Sequence, residues 1–291
     1  MQAFDYVLAG SIDETIGLMV SKNGEARILC GGTDLLVQLR EGRRRAELLV
    51  DVKNIPELTA VSYDAKSGLR LGAAATCSQI CDNPAVAENF PGLVDAIQLI
   101  GGVQIQNRAS LGGNLGNASP AADSIPALIV HEATCLIAGS KGQRVLPVEQ
   151  FCTAPGQNAL ERGEFLVAVN IPPRKPGFGS HYLRFIPRNE MDIAVVGAGA
   201  SIILDENRVR ILSARIALGA VAPTPLLVEA AGTFLAGKET SDTNIREAAR
   251  IAQAAARPIS DLRGTAEQRK HLCAVLVRRA LEKAIERARA S

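Results

Sequence analysis

The chain has 291 residues, of which 47% are hydrophobic and 21% are charged, and its formal net charge is +2. This length accommodates two domains with separate cores, and the composition excludes long disordered tracts. Tryptophan is absent and aromatic residues make up only 3% of the chain, which argues against the stacking platforms that bind single-stranded nucleic acid.

No export or membrane signal is predicted at the amino end. Residues 1–10 lack a basic segment and an apolar core, and no run reaches the ~18 consecutive apolar residues of a membrane-spanning helix. We therefore expect a cytoplasmic protein whose six cysteines are reduced thiols. Only Cys77 and Cys81 lie close together, and the spacing of the others fits neither a zinc nor an iron–sulfur site, so no metal site is predicted.

A small βαβ unit is predicted for residues 27–52, after a helix over 12–22 that is expected to end at Asn23-Gly24. The first strand, 27–30, runs into Gly31-Gly32-Thr33-Asp34. Leu35, Leu36 and Leu39 then recur at helical spacing, with Thr33 or Asp34 as the cap. A second strand over 48–52 completes the unit, which predicts a parallel pair of strands.

The Gly31-Gly32 turn lies where the carboxyl end of a strand meets the amino end of a helix. This position favours phosphate contact in α/β architecture, and the alternative is a plain tight connection. A second glycine-rich segment downstream favours a large ligand that is held from two sides, such as a dinucleotide.

Short elements are predicted on either side of that second segment. A strand is expected over 69–72, a helix over 77–80 with Thr76 as its cap, and an apolar helix over 93–100 after Pro91-Gly92. Beyond the segment, strands are expected over 134–138, 144–146 and 165–171. Residues 172–177 are rich in proline, cannot continue a central strand, and are interpreted as the linker between two domains.

Residues 100–128 form the second glycine-rich segment. Its glycines are Gly101, Gly102, Gly112, Gly113 and Gly116, and the polar donors among them are Ser110, Asn114, Asn117 and Ser119. Because glycine adopts positive φ readily and no lysine is present, we expect main-chain amides to hold a diphosphate here. Pro120 and Asp123 open an apolar helix over 125–130 whose amino end adds its dipole. The alternative is a pair of glycine-rich turns, since such a loop alone is weak evidence.

The second domain is predicted as a three-stranded antiparallel sheet backed by three helices. The strands cover 180–185, 193–204 and 209–219, with a hairpin at 205–207. Helices are expected to begin at Thr224-Pro225, at a cap on Asp242, and after Thr265.

Residues 195–202, VVGAGASI, imitate the start of a dinucleotide fingerprint. The third glycine is missing and no helix follows, so we interpret this run as a small-residue strand packed under helices. The C-terminal part is net basic, but its arginines alternate with glutamates at helical spacing, as in Arg278-Arg279 and Glu282-Lys283. A solvated helix or a protein contact is therefore favoured over nucleic-acid binding.

No catalytic constellation of side chains is predicted. His131, His181 and His271 fall in different elements without a nucleophile and an acid partner, which argues against a hydrolase. Asp123 could accept hydrogen bonds from sugar or ribityl hydroxyls, and helix capping is the alternative. The chain therefore looks suited to holding a cofactor that does the chemistry, and a flavin fits two glycine loops better than a nicotinamide.

Three segments resemble a known family. Residues 30–36, CGGTDLL, with 106–114, QNRASLGGN, and 120–123, PAAD, are similar to the FAD-binding medium subunit of molybdenum hydroxylases. This family includes bacterial xanthine dehydrogenase, carbon monoxide dehydrogenase and 4-hydroxybenzoyl-CoA reductase. The resemblance covers nearly the whole chain, because residues 182–194, 218–225 and the C-terminal helices look like that family's smaller domain.

The resemblance implies an α+β fold. It comprises a two-part FAD-binding domain of the vanillyl-alcohol oxidase type, with a small βαβ part and a mixed β-sheet part. A smaller domain of three-stranded antiparallel sheet with a helical bundle follows. On this basis the FAD-binding domain covers 1–175, divided into 1–60 and 61–175, and the C-terminal domain covers 176–291.

The resemblance also implies an oxidoreductase subunit without catalytic side chains of its own. A large partner subunit would oxidise substrate at a molybdopterin cofactor, and a small partner would relay electrons through 2Fe-2S clusters. This chain would carry FAD and pass the electrons to an external acceptor, namely NAD, a quinone or a protein.

Particular residues are implied to bind FAD. The diphosphate would be held by Gly31, Gly32, Thr33 and Asp34, followed by Leu35, together with Ser110, Gly112, Gly113 and Asn114. Asn117 and Asp123 would contact the sugar or ribityl part, and Arg184 with Asp192 would lie beside the isoalloxazine.

Some features depart from related proteins. The family often has lysine where Arg184 stands, and arginine brings a planar, permanently charged fork instead of a compact ammonium. The insertion that carries an extra iron–sulfur cluster in 4-hydroxybenzoyl-CoA reductase is absent. Thr33 and Asp34 occupy the neighbourhood where stand-alone oxidases of the wider superfamily attach flavin through a histidine, so non-covalent FAD is expected.

Two other function classes compete with this hypothesis. One is a self-sufficient flavin oxidase or reductase of the wider superfamily, and the other is a flavin-free structural or binding protein that keeps only the fold. The substrate of the complex is not predicted, because in this family another polypeptide recognises it.

Overall fold

The structure is a computed structural model that describes residues 3–22, 24–188 and 191–291. Asn23, which belongs to the predicted end of the first helix, lies outside these residues. The strands are β1 Asp5–Leu8, β2 Ala26–Leu29, β3 Leu48–Asp51, β4 Val61–Asp64, β5 Gly68–Gly72, β6 Thr134–Gly139, β7 Gly142–Pro147, β8 Cys152–Ala154, β9 Gln157–Asn158, β10 Phe165–Ile171, β11 Phe178–Phe185, β12 Val196–Leu204, β13 Ile211–Gly219 and β14 Leu226–Leu227.

Six of the helices, α4 to α9, follow one another between β5 and β6, and a short 3₁₀ helix lies at Val148–Gln150. They are α1 Ile12–Ser21, α2 Leu35–Arg40, α3 Pro56–Thr59, α4 Cys77–Cys81, α5 Pro84–Asn89, α6 Pro91–Ile97, α7 Val103–Gln106, α8 Leu111–Asn117, α9 Ser124–Val130, α10 Glu229–Leu235, α11 Asp242–Ala255 and α12 Ala266–Ala290.

A three-stranded parallel sheet in the order β1-β3-β2 forms the amino-terminal part. The predicted pairing of β2 with β3 is confirmed, and Val50 at the centre of β3 is fully buried. Strand β1 was not predicted, because its four residues have little burial and carry no periodic pattern. Both connections are helical, as parallel neighbours require.

A five-stranded sheet follows in the order β4-β5-β10-β6-β7. All four pairings are antiparallel, so the sheet expected to be mixed is antiparallel throughout. Strand β10 enters at the centre between two hairpins and is buried along nearly its whole length. Helix α4 begins with the predicted cap: Thr76 accepts from the Gln79 amide, and Gln79 bonds back to the Thr76 amide.

The central glycine-rich segment is helical, which corrects the expectation of a loop with positive φ angles. Of its five glycines only Gly101 has positive φ, at 62°, whereas Gly112, Gly113 and Gly116 lie within α8. The α8 helix forms because the Ser110 hydroxyl caps it and two leucines, four residues apart, enter the core. Gly112 packs so closely on Ala73 that a Cβ atom there would overlap the Ala73 carbonyl.

The C-terminal part is a sheet in the order β11-β12-β13-β14, with helices α10, α11 and α12 packed on it. The fold class expected from the sequence is confirmed, with the two-residue strand β14 as an addition. That strand takes the place of the expected helix start at Thr224, and α10 begins only at Glu229. Ser241, not Asp242, caps α11.

Helix α9 lies between the two larger sheets and is buried along its whole length. Ser201 on β12 donates to the Val130 carbonyl over 2.7 Å, and a Cβ atom on Gly199 would lie 3.0 Å from the Pro126 carbonyl oxygen. The interpretation of the GAGA run as a small-residue strand packed under a helix is thereby confirmed. Within the described ranges, no helix combines the length and the hydrophobicity that a membrane-spanning segment requires.

Candidate functional site

A cleft of about 560 Å³ opens between the parallel sheet and the central glycine-rich segment. Its size is in the range of small-molecule and cofactor sites. Most of the sequence-predicted site residues line it, namely Gly31, Gly32, Thr33, Asp34, Leu35, Ser110, Gly112, Gly113, Asn114 and Asn117. We call residues 30–35 the first wall and residues 109–117 the second wall.

The two walls touch at the base of the cleft. Gly31 lies against Arg108 and Ala109 so closely that a Cβ atom on Gly31 would overlap the Arg108 carbonyl. Any side chain at position 31 would therefore push the walls apart. The close approach explains why a glycine is needed where β2 ends.

The first wall lines the cleft with main-chain amides that have no partner. Gly32 adopts a φ of 76°, and the amides of residues 31–35 form no hydrogen bond with any described residue. A short run of unpartnered N–H groups around a residue with positive φ forms a concave surface that binds anions. The first wall therefore fits a diphosphate.

The second wall behaves differently from the expectation that its amides hold the same group. The Gly112 amide donates to the Ala73 carbonyl over 3.0 Å, and the amides of Gly113 and Asn114 donate to the Ser110 hydroxyl and carbonyl. These N–H groups already have acceptors. A ligand in the cleft therefore meets the side chains and the close-packed backbone of the second wall. The unpartnered main-chain amides are those of the first wall.

Gln38 joins the two walls, and sequence reasoning missed it. Its Nε2 donates to the Asp34 carboxylate over 3.2 Å and to Asn117 Oδ1 over 3.0 Å, 79 residues away in the sequence. The Gln38 residue is 9% exposed. The sequence could have predicted the hydrogen bond between Gln38 and Asp34, because residues four apart at the start of a helix are neighbours. No sequence pattern predicts the hydrogen bond between Gln38 and Asn117.

The charges around the cleft favour an anion. Arg27, Arg44 and Arg162 line it, and none of them forms an ion pair with a described carboxylate. Two of the lining acids are neutralised: Glu164 receives two hydrogen bonds from Arg144, and Glu161 pairs with Lys141 at 2.9 Å.

Asp123 and Arg184 form a buried ion pair at 2.6 Å, and their side chains are 8% and 7% exposed. The Tyr182 hydroxyl donates to the other carboxylate oxygen over 2.8 Å. Burial raises the pKa of Asp123 to about 6, although the Arg184 charge and the two hydrogen bonds act in the opposite direction. Asp123 stands at the N-cap of α9 but does not cap it, so its carboxylate serves this pair instead.

This pair lies outside the lining of the cleft and is connected to it through the neighbouring Ser124. Ser124, next to Asp123, donates to Asn114 Oδ1 over 2.6 Å, and Asn114 lines the cleft. The Nε of Arg184 is buried and has no hydrogen-bond partner among the described residues. Asp192 also lies outside the lining; its carboxylate accepts from Arg188 over 3.2 Å.

The histidines serve structural contacts or lie on the surface. Burial lowers the pKa of His131 to about 4, and its ring nitrogens meet the Ala127 carbonyl and the Ser180 hydroxyl. His181 contacts Asp95 at 2.5 Å, and His271 is exposed on α12. Among the residues that the structure describes, no group of three or more His, Cys, Asp or Glu could hold a metal ion.

Comparison with known proteins identifies the two parts of the chain. Residues 2–174 match the model of the FAD binding domain in molybdopterin dehydrogenase, and residues 181–284 match that of the CO dehydrogenase flavoprotein C-terminal domain. The xanthine dehydrogenase FAD-binding subunit of Escherichia coli O157:H7 is 31% identical over 284 residues, which cover 96% of this chain and 95% of that protein.

A second relative, the carbon monoxide dehydrogenase medium chain of Hydrogenophaga pseudoflava, is 30% identical over 281 residues, covering 97% of this chain and 96% of the relative. A solved structure of carbon monoxide dehydrogenase from the same organism, lacking the Mo-pyranopterin moiety, contains a chain that superposes with a TM-score of 0.93. The two chains are 30% identical, and the match covers 98% of each.

Proposed function

Because this chain belongs to the family of FAD-binding subunits of xanthine dehydrogenase- and carbon monoxide dehydrogenase-type molybdenum hydroxylases, we propose that its cleft holds the FAD diphosphate and that the subunit passes electrons from partner clusters to an external acceptor. One observation carries the assignment of the cleft: residues 31–35 line it, and their five main-chain amides form no hydrogen bond with any described residue. An anion of two phosphate groups would satisfy them.

The residues present fit the cofactor in two further respects. The contact between Gly31 and Arg108 keeps the walls close enough for both to meet one ligand. The buried Nε of Arg184 has no hydrogen-bond partner among the described residues, which is unusual unless a ligand or a solvent molecule meets it. Arg184 lies outside the cleft lining, so this donor serves the cofactor where the flavin end extends past Asn114 and Ser124.

We assign roles within this proposal as follows. The first wall holds the diphosphate through its amides, with Ser110, Gly112, Gly113 and Asn114 closing the opposite side. Asn117 contacts the sugar or ribityl part. Asp123 and Arg184, which reach the cleft through the contact of Ser124 with Asn114, are assigned to the flavin end. Asp192 is assigned to the same end on the family resemblance alone, since it lies outside the cleft lining.

The described histidines offer no reaction centre for a substrate. His131 and His181 are held in structural contacts, and His271 is exposed on α12, away from the cleft lining. FAD, when bound, would accept and release the electrons. The protein holds the cofactor and adjusts its redox properties. Substrate oxidation therefore belongs to a molybdopterin-binding partner, and a 2Fe-2S partner subunit delivers the electrons.

The test of this proposal begins with the purified chain expressed alone. It should bind FAD non-covalently, with one FAD per chain after reconstitution. A purine, an aldehyde or another organic substrate should not bleach its flavin absorbance under anaerobic conditions. When the chain is tagged in its native source, molybdenum- and iron-containing subunits should copurify.

The outcomes separate the competing classes. Bleaching of the isolated flavoprotein by an organic substrate would identify a self-sufficient oxidase or reductase. A colourless protein that takes up no FAD would identify a structural descendant of the fold. For the acceptor, the dithionite-reduced protein is mixed in turn with NAD, a quinone and an electron-transfer protein, and reoxidation within the turnover time of the complex identifies the partner.

A further inference from the structure

We propose that Gln38 is a positioning residue of the cleft, which turns the side-chain amide of Asn117 so that Asn117 Nδ2 donates to an oxygen of the nucleotide's diphosphate–ribose part. This inference rests on the proposed function, because it takes the cleft as the FAD site. Gln38 would affect ligand binding indirectly, through the orientation of the Asn117 side chain.

The orientation of the Gln38 amide is fixed by Asp34. A carboxylate only accepts hydrogen bonds, so the atom of Gln38 that faces Asp34 Oδ1 at 3.2 Å must be the nitrogen. The same nitrogen faces Asn117 at 3.0 Å with its second hydrogen. The facing atom of Asn117 must then be its oxygen, which settles an assignment that side-chain amides otherwise leave open.

The orientation of the Asn117 amide leaves its nitrogen, Nδ2, available to a ligand. Oδ1 is engaged by Gln38, whereas Nδ2 donates no hydrogen bond to any described residue. Asn117 lines the cleft, on the wall opposite the unpartnered amides of residues 31–35. An anionic or hydroxyl-bearing ligand in the cleft therefore meets donors from both sides, and Gln38 presents the second one.

Burial gives the arrangement its rigidity. Gln38 is 9% exposed, lies one turn into α2 and lines the cleft next to the first wall. A half-satisfied amide at such a place costs stability, so both of its hydrogens are expected to stay engaged. Without Gln38, Asn117 can rotate, and the ligand loses an oriented donor.

A double-mutant cycle on the full chain tests this inference. FAD and ADP affinities are measured by flavin fluorescence quenching and by calorimetry for wild type, Gln38→Met, Asn117→Ala and the double variant. Gln38→Met should weaken both ligands about tenfold, the cost of one unmade hydrogen bond of about 1.4 kcal/mol. In the Asn117→Ala background the same change should cost less than about twofold, since its effect passes through Asn117.

A second variant, Gln38→Glu, is tested by the pH dependence of its FAD affinity, which should not change if Gln38 has only a structural role. Gln38→Glu places a carboxylate against Asp34 and removes the donor, so FAD binding should be weak at pH 8. Protonation of the new carboxyl restores one donor, so affinity should recover as the pH falls, which wild type and Gln38→Met should not show. Gln253→Met on α11, far from the cleft, serves as the matched control and should leave FAD affinity unchanged.

The inference would be overturned if Gln38→Met bound FAD and ADP with wild-type affinity. It would also be overturned if the loss of affinity in the double variant equalled the product of the losses in the two single variants. A pH-independent affinity in Gln38→Glu would overturn it as well, and this result also decides the matter if the methionine variant fails to fold. Failure of the wild-type chain to bind FAD or ADP would instead overturn the proposed function.

Discussion

Arg287 on the last helix and Asp95 on α6 form a two-pronged ion pair, with nitrogen–oxygen distances of 2.5 and 3.1 Å. They lie 192 residues apart in the sequence and tie α12 to α6, the helix that precedes the central glycine-rich segment. His181 contacts the same carboxylate at 2.5 Å. The ion pair thereby adds a charged contact with α6 to the apolar packing of the C-terminal helix on its sheet.

Arg287→Met should therefore lower the free energy of unfolding by about 1–3 kcal/mol, because Asp95 loses a charged partner at a half-buried place. Urea denaturation at neutral pH measures it. Arg246→Met is the matched control, since its i,i+4 pair with Asp242 is exposed and should be worth about 0.3–0.5 kcal/mol. Equal losses in the two variants would contradict the anchoring role.

The same pair gives a pH dependence. Burial alone would raise the pKa of Asp95, but hydrogen bonds from His181 and Arg287 outweigh it and hold the pKa below its ordinary value. A lowered folded-state pKa contributes stability above the unfolded pKa of about 4 that is lost as the pH falls through the folded value. The destabilisation by Arg287→Met should accordingly shrink between pH 7 and pH 3.

Cys30 lines the cleft, yet its thiol should be unreactive. Burial raises the pKa of Cys30 to about 11, outweighing the hydrogen bond with Ser110 and the charge of Lys53. Since the thiolate is the nucleophile, a disulfide reagent such as DTNB should modify the native protein slowly at pH 8 and all six cysteines after denaturation. A rapidly reacting thiol that disappears in Cys30→Ser would contradict this prediction.

The sequence predicted those parts of the fold that local patterns determine. The βαβ unit follows from strand and helix periodicity on either side of Gly31-Gly32, and the start of α4 follows from Thr76 and Gln79 three residues apart. The turn at Gly31-Gly32 between a strand and a helix was also predicted, and its contact with a phosphate stays a prediction. These predictions depend on neighbouring residues in the sequence and not on tertiary contacts across the cleft.

The second wall was misjudged because its structure is set by tertiary contacts. Glycines usually disfavour helices, but α8 is stabilised by its Ser110 cap and by leucines in the core, and Gly112 permits the close contact with Ala73. The same limit applies to Asp123: its partner Arg184 is 61 residues away, and nothing local predicts that pairing.

Gly31→Ala should separate the walls of the cleft. A methyl group at position 31 would overlap the Arg108 carbonyl, so the backbone must move, and we expect FAD affinity to fall at least tenfold with a loss of about 1–3 kcal/mol in stability. FAD titration and thermal unfolding measure the two effects.

Gly17→Ala is the control for this substitution. Gly17 lies within α1, where a Cβ atom would meet nothing within 4 Å, so alanine should stabilise the protein by about 0.5–1 kcal/mol and leave FAD binding unchanged. Retention of full FAD affinity in Gly31→Ala would show that the contact between the walls is not required.

Arg184→Met should destabilise the protein in a pH-dependent manner, because it leaves the buried Asp123 carboxylate without its cation. At pH 8 we expect a loss of about 3–5 kcal/mol, the usual cost of stranding one member of a buried pair. Burial already raises the pKa of Asp123 to about 6, and removal of the guanidinium should raise it further.

The sign follows from proton uptake. With a folded-state pKa above the unfolded value, the folded protein binds more protons between them, so this carboxyl's contribution to stability improves as the pH falls through about 6 towards 4. The loss in Arg184→Met should therefore be smaller at pH 5 than at pH 8. Urea denaturation at both pH values, with Arg188→Met as the exposed control, measures it. An identical loss at the two pH values would mean that Asp123 keeps its charge without Arg184, and that Tyr182 alone compensates it.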